Sequence, residues 1–459
     1  MTKAGISEIR RIISAALCAV LLISMAATDV SLAGVKKYTT KGYSLAKYST
    51  KDYIPVKNKK LKKINASGNY YKGYDLYDFA GNDIWMPHIL PTKAGSTRNM
   101  DMMTMFHLPF AWINGRPNYM NLGNPQSISV TPDGNTAYIT YPVDSNKGTG
   151  RILVYDLAAM RRLSLDIPGN MGLLRMYGKY PGRFPNDGPA LEACIKIGPE
   201  IQMGHCSAVS YNPKDKHLWI ITKTVYKSNK KPDMQHLWRI NMKTLKPDKR
   251  LDFKLSTIKK ITTSNHFTFD KRGHVYFFAY AGSKQGKCPK GAIKIYQGTI
   301  SKKNKVSFKL MRNVICNPVV KGNHVQSAGY DLKNDRIYMI CDSALMSIPV
   351  SKLIKNKVKP ADVWMTQFSI NREFEGFECD ENGTWYLIVN RYPEIMTCKN
   401  LAKWDLSDND FDKNGKCTRE DYYYDPINDD PTVGPDDGVD DEESDGSRDN
   451  DDPASGLTM

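Results

Sequence analysis

Long apolar runs are almost missing from this 459-residue chain. Only Ile12–Ala27 is uncharged and apolar, and its 16 residues fall just short of the length a membrane-spanning helix needs. The carboxyl end carries no hydrophobic anchor tail. No Cys-x-x-Cys pair occurs, which argues against a thiolate zinc cluster. There is no Gly-x-Ser-x-Gly elbow, no Gly-rich phosphate loop and no His-Glu-x-x-His. The commonest signatures of serine hydrolases, nucleotide-binding enzymes and zinc proteases are therefore absent. Phenylalanine is also sparse, at 14 against 26 Tyr. That balance suits strands with one wet face better than helices.

Acidic residues are scarce over most of the chain and crowded at its end. Residues 405–459 hold 19 Asp/Glu and 4 Lys/Arg, which leaves 61 Lys/Arg against 29 Asp/Glu in the rest. A body of net charge +32 thus carries a tail of −15. Anionic partners are expected for the body. Beyond about residue 426 the chain is Asp, Gly, Pro and Ser with little to bury, so 426–459 is expected to be a disordered acidic tail.

The start reads as an export signal. Lys3, Arg10 and Arg11 precede the apolar run, and Ser31-Leu32-Ala33 supplies a small-x-small cleavage site. Residues 1–33 are expected to be removed and the product to be secreted, extracellular or surface-associated; an uncleaved anchor is the alternative. Eight cysteines then remain, an even number that favours disulfides in an exported chain. Neighbour pairing gives Cys194–Cys206, Cys288–Cys316 and Cys398–Cys417, with free buried thiols as the other reading.

One phrase recurs: an alternating strand, an Asp or Asn turn, then a strand centred on an aromatic residue. It begins at Asn124, His205, Thr263, His324 and Glu373, with strand centres Tyr138, Trp219, Tyr276, Tyr338 and Tyr386. A third strand follows each copy, at 151–157, 236–245, 292–300, 344–353 and 400–408. A unit of this size with three visible strands predicts a propeller blade. The expected fold is all-β: a five-bladed β-propeller over 121–409, with a basic, Tyr-rich extension at 34–120 acting as cap or closing strands. The wide first spacing implies an insertion near 158–203.

Aligning the copies on Thr131, Asn212, Asp270, Asp331 and Asp380 sorts each innermost strand into faces. Positions three and one before the turn are apolar and read as blade core. Seven and five before it, the residues turn polar: Asn124/Gln126, His205/Ser207, Thr263/Asn265, His324/Gln326 and Glu373/Glu375. The opposite face is small, with Ser127, Ser129, Ala208, Ser210, Ser327, Gly329 and Gly376. A polar collar at a channel mouth is a natural ligand site, although blades also need polar groups simply to satisfy one another. Glu373 and Glu375, two apart on one strand, lie roughly 7 Å apart by strand rise, a spacing compatible with paired carboxylates in glycoside hydrolysis. No aligned acid occurs in the other copies, so no catalytic residue is assigned and enzyme activity stays open.

After the last repeat, Asp410, Asp412, Asn414, Gly415 and Asp421 fall at positions 1, 3, 5, 6 and 12 of an EF-hand-like loop within 410–425. Calcium is the one cofactor this suggests, and a solvated acidic turn is the alternative.

The phrases SVTPDGNTAYITY with RILVYDL, VQSAGYDLKNDRIYMI, and the Glu373-x-Glu375 strand resemble the repeats of helveticin J-type proteins, large class III bacteriocins of lactic acid bacteria, over roughly 120–408. The resemblance implies a secreted antibacterial protein acting at the envelope of competing cells, and it carries over no catalytic residue. The expected partners are anionic envelope polymers, glycans or lipids. Nucleic acid is not expected, and the molecule is expected to be a monomer. An exported glycan-acting hydrolase and a surface scaffold are the alternatives.

Overall fold

Each copy of the phrase folds as an antiparallel meander because its turn is built from the same chemistry. In the computed structural model the described residues are 35–39, 53–55, 85–109, 122–144, 147–179, 188–206, 208–224, 234–254, 262–280, 293–311, 314–316, 325–390 and 392–419. The side chains of 53–55, 179, 223–224, 262–265, 279–280 and 314–316 are not described. Residues 1–34, Ser207, Cys288, His324, Asp421 and residues 426–459 lie outside these ranges.

Among the described residues, four strands precede the repeats: β1 (Lys36–Thr39), β2 (Tyr53–Pro55), β3 (Ile89–Leu90) and β4 (Met102–His107). The first meander is β5 (Ser127–Val130), β6 (Thr136–Asp144), β7 (Thr149–Asp156) and β8 (Ile195–Ile197), with β9 (Ile201–Gln202) beside β7. Helices α1 (Leu157–Arg162), α2 (Leu173–Lys179) and α3 (Gly188–Ala193) fill the insertion between β7 and β8. The second is β10 (Val209–Asn212), β11 (His217–Thr224), β12 (Met234–Ile240) and β13 (Pro247–Phe253), edged by β1 in parallel. The third is β14 (Thr262–Phe269), β15 (His274–Tyr280) and β16 (Ile293–Ile300), followed by β17 (Val306–Leu310) and β18 (Val314–Cys316), with β2 parallel to β18. The fourth is β19 (Val325–Asp331), β20 (Arg336–Cys341), β21 (Ala344–Pro349) and, after α4 (Val350–Ile354), β22 (Trp364–Gln367). The last is β23 (Glu373–Cys379), β24 (Trp385–Asn390) and β25 (Glu394–Cys398), completed by β4 and β3 from the amino-terminal extension.

In every copy a side-chain oxygen near the start of the turn accepts backbone N–H groups. Asp133 accepts from Asn135 (3.1 Å), Asn212 from Lys214 (3.0 Å), Asp270 from Arg272 (2.9 Å), Asp331 from Asn334 (2.8 Å) and Asp380 from Gly383 (2.8 Å). Each turn also holds one residue at positive φ: Gly134, Lys216, Gly273, Asp335 and Gly383. These Asx-type turns fix register, so the apolar alternation falls on the core side each time.

The fold is propeller-like. Innermost strands pack in succession, β5 against β10, β10 against β14, β14 against β19, β19 against β23, and β23 back against β5. Apolar clusters are shared between neighbouring meanders rather than enclosed in one. Trp219, Ile221, Phe253, Phe267 and Phe277 join the second to the third; Tyr276, Ile295, Met339 and Met346 join the third to the fourth. The closest approaches require glycine. A Cβ on Gly329 would collide with the Phe377 carbonyl, and one on Gly376 would lie 2.8 Å from the Ile128 nitrogen.

Two expectations are corrected. Residues 400–408 form no strand: Leu401–Trp404 is a 3₁₀ turn, and the third strand of the last repeat is β25. Leu401 and Leu406 pack instead on Met86, Ile89 and Met103 under the amino-terminal strands. The pairs Cys194–Cys206 and Cys398–Cys417 are not formed, since Cys194, Cys206 and Cys398 are thiols. Cys194 packs in the core between the last and first sheets, and Cys206 in the one between the first and second. The pair Cys288–Cys316 lies outside the described side chains.

The seam where β4 meets β25 is held by a fully buried carboxylate. Glu394 accepts from Thr104 Oγ1 (2.5 Å) and from Arg372 Nη2 (2.7 Å), and its Oε2 lies 3.0 Å from His88 Nδ1. Burial alone would push this carboxyl up, but His88 and Arg372 outweigh it and hold Glu394 well below the usual carboxylate range. A carboxyl so depressed binds fewer protons folded than unfolded, so its contribution is present above the ordinary carboxylate range and is lost as pH falls. Arg372→Met should therefore cost about 3–5 kcal/mol at neutral pH, read from urea unfolding, with the deficit shrinking in acid. Arg239→Met, which breaks the part-exposed pair with Asp248, should cost no more than about 1 kcal/mol. Equal losses for the two would overturn the buried-charge account.

Candidate functional site

The innermost strands run in one sense around their common axis. Val209 N donates to Ser127 Oγ (3.2 Å) and Tyr211 N to Ser129 Oγ (2.8 Å), so β10 and β5 advance together. Asp331 sits beside Cys379 in parallel register. The strand starts therefore gather at one end of the axis and the Asx turns at the other.

At the starting end the ladder is irregular where the polar collar is expected. Register shifts occur between Thr263 and Phe267, Val325 and Ser327, and Phe374 and Gly376. Gln326 and Glu375 are the bulged residues. In the first repeat Gln126 N donates to the Thr140 carbonyl (2.9 Å), although Thr140 already faces Ser127. A bulge re-aims one side chain without disturbing the strand beyond it, and here it does so at corresponding positions of several copies.

Two collar residues, Glu375 and Gln326, are held by side chains from outside the collar. Asn390 Nδ2 donates both to Glu375 Oε1 (2.8 Å) and to the Pro125 carbonyl (3.1 Å), joining the last repeat to the first. Glu373 faces Asn390 across the ladder and is half-buried, whereas Glu375 is buried. Gln126 is buried and Asn124 exposed. His205 is exposed in the turn before Cys206, whose carbonyl accepts from Thr140 Oγ1 (2.6 Å). Gln326 Nε2 donates to Asp342 Oδ1 (3.3 Å). Ser207 and His324 lie outside the described residues, as does the Asn265 side chain.

Between the two ends the axis is narrow. Ser127 Oγ and Ser327 Oγ approach to 3.4 Å from different repeats. Deeper in, where the aligned copies offer Ser129, Ser210, Thr268 and Gly329, the last repeat places Glu378. This carboxyl accepts from Ser129 Oγ (3.2 Å) and is buried. Burial pushes its affinity for a proton well above the usual carboxylate range, with Asp331 adding to the push and the bond from Ser129 opposing it. The turn end opens beside it into a shallow concavity lined by Tyr211, Phe269, Tyr330 and Asp380. Sequence reasoning passed over Glu378, and the signal was a single acid in an otherwise small-residue column.

Two places invite a metal reading. His88, His107 and Glu394 bring three ligand-type atoms within 4.8 Å of one another. His107 Nε2 lies 3.2 Å from the Met86 carbonyl and so carries the proton. Arg372 already holds Glu394. Arg175, which donates to the Leu108 (3.0 Å) and Pro393 carbonyls, stacks 4.2 Å over Tyr392 in the same cluster. A dication would add to two buried guanidinium charges, so the donor set suits a structural seam better than a metal. In the 410–425 loop, Asp412 Oδ1 accepts from Asn414 N (2.8 Å) and Lys416 N (2.9 Å), and Asp410 Oδ2 accepts from Ser407 N (2.7 Å). The turn docks on β3 through Ile89 N to the Gly415 carbonyl (2.8 Å). Asp421 lies outside the described residues.

No family model matches the chain, and no curated protein does. Among solved structures it is similar to a glucose dehydrogenase at 10% identity and TM-score 0.31, covering 61% of this chain and 97% of that one. A second glucose dehydrogenase, at 8% and 0.31, covers the same shares. The β-propeller domain of Myceliophteria thermophila Cps50 (Swd1) is similar at 8% identity and TM-score 0.30, again covering 61% and 97%. Among the described residues no helix is long and apolar enough to cross a membrane.

A carboxyl with raised proton affinity binds more protons folded than unfolded, so its stability contribution is greatest below the ordinary carboxylate range and falls as pH rises. Glu378→Gln keeps the shape and removes the titration. Its urea midpoint should match the parent near pH 4, close to the ordinary carboxylate value, and exceed it increasingly toward neutral pH. A difference that does not change with pH would overturn the account of Glu378.

Proposed function

We propose that the chain is a five-bladed β-propeller, exported from the cell, that binds bacterial envelope or glycan components and acts in a bacteriocin-like way. The observation that carries this reading is the collar. Bulges at the strand starts turn Gln326 and Glu375 out of the regular ladder beside Gln126, where amides and a carboxylate match the hydroxyl-rich surface of a sugar. The charge distribution supports the same partner class. A body of +32 is drawn to anionic polymers over a range set by ionic strength. The family resemblance of the repeats points the same way. Calcium at Asp410, Asp412, Asn414 and Asp421 would adjust this binding, and the acidic tail would compete with envelope anions for the basic body.

A second reading has one specific support. Glu373 and Glu375 stand two residues apart in unlike settings, one half-exposed and one buried against Asn390, as an acid and a base on a glycan would require. In that case the molecule is a glycan-acting hydrolase.

The mature protein should be retained on isolated Gram-positive cell walls at low salt and released as ionic strength rises, as measured by pull-down with and without calcium. Absence of retention at any ionic strength would overturn envelope binding. Glu375→Gln separates the readings: binding persisting while sugar-releasing turnover disappears favours the hydrolase, and no turnover in either protein removes it.

A further inference from the structure

An outer strand of the first meander and outer turns of the next two meet at one rim, and each brings lysines with it. Lys196 on β8 donates from Nζ to the Lys243 carbonyl (2.6 Å), tying the first meander to the β12–β13 turn. Lys243 and Lys246 stand exposed in that turn. Lys249 on β13 lies opposite Lys36 of β1 in parallel register. Its Nζ donates to Asn304 Oδ1 (2.7 Å), which brings the β16–β17 turn, with exposed Lys302 and Lys303, to the same edge.

Carboxylates on this edge are already committed. Asp248 takes both prongs of Arg239 (2.8 and 2.9 Å), and Asp252 takes Arg250 (2.6 and 2.9 Å) together with His236 (2.7 Å). The exposed lysines of the rim form no ion pair among the described residues. Crowding is felt at Lys249, whose ammonium is disfavoured first by burial and then by Arg239. Three meanders thus bring lysines without ion pairs to one edge.

We propose that this rim is the track on which the protein takes a linear, phosphodiester-linked envelope polymer of the teichoic-acid class. The inference rests on the envelope-binding reading and names the partner and the surface. A polymer fits better than a bilayer because, among the described residues, the exposed large hydrophobic side chains are Leu163 and Ile197 alone, too few to seat in lipid. Compact ammonium groups on flexible stems also suit a chain of phosphates that presents no fixed planar geometry. The rim supplies charge-led capture, and the collar on the axis is left to read sugar identity.

The test compares two triple variants of equal charge change. One is Lys243→Gln/Lys246→Gln/Lys303→Gln on the rim; the other is Lys355→Gln/Lys357→Gln/Lys359→Gln beyond α4, on the fourth meander. Retention on immobilised poly(glycerol phosphate) is measured at low and moderate salt, with phosphatidylglycerol vesicles and duplex DNA as alternative probes, after matching thermal unfolding confirms that the variants fold. The rim variant should lose at least about tenfold in affinity with a shallower salt dependence, and the control should stay near the parent. Equal losses would mean that only net charge matters and would overturn the rim. Parental binding to walls with an unaffected rim variant would overturn the rim while leaving envelope binding standing. A parent protein that binds neither walls nor polymer removes both, and one that prefers vesicles or DNA over the polymer overturns the choice of partner.

Discussion

A ring of meanders must close, and here it closes through a strand contributed from far away in sequence. β4 completes the last sheet by pairing with β25, so Thr104 and Glu394 share a hydrogen bond although 290 residues separate them. Each of these apolar clusters is shared between two neighbouring meanders, so no meander can bury both faces unless its neighbours are in place. Opening the β4–β25 seam would expose the edge of the last sheet and loosen the cores on either side of it. The seam is also where the chain accepts a buried carboxylate. Glu394 is tolerated because both its oxygens are met, Oε1 by Arg372 and Oε2 by Thr104 and His88, and those partners come from the extension and from the start of the last repeat. An arrangement that is costly unless complete makes the closed ring specific as well as stable.

The turns were legible in the sequence because their chemistry is local. Asn212, Asp270, Asp331 and Asp380 align on sequence alone, and each accepts backbone N–H groups within four residues. The closing strand was not assignable in the same way. Nothing between Met102 and His107 signals that its partner is β25, because strand pairing at that separation is a tertiary choice. The third strand of the last repeat was misplaced for a related reason. Leu401, Trp404 and Leu406 carry apolar character that serves the amino-terminal strands, and the pattern shows that such residues are buried without showing against what. Cysteine pairing failed because sequence proximity says nothing of which core each residue enters, and Cys194 and Cys206 enter different ones.

The collar was partly legible. Alternation alone would place Gln326 and Glu375 on the same face as the core residues that follow them. Their polarity marked them as exceptions, and the bulges are the physical form of that exception. Glu378 escaped notice because it breaks no period. It occupies a small-residue column where burial, with Asp331 adding to it, raises its affinity for a proton and Ser129 donates to it.

These features divide the molecule's chemistry by location. Polar groups aimed off the ladder sit at one end of the axis, a buried carboxyl sits within it, and the lysines stand around the outside of successive meanders. The separation follows from the architecture. Axis-facing positions are crowded by close strand approach, as Gly329 and Gly376 show, and can host only a few directed hydrogen bonds. The outer turns have room for long cationic side chains but no fixed geometry to discriminate with. Under the proposed reading, attraction is therefore assigned to the rim and selectivity to the collar. Salt should weaken the first far more than the second, because exposed ammonium groups are screened and buried amide–hydroxyl contacts are not.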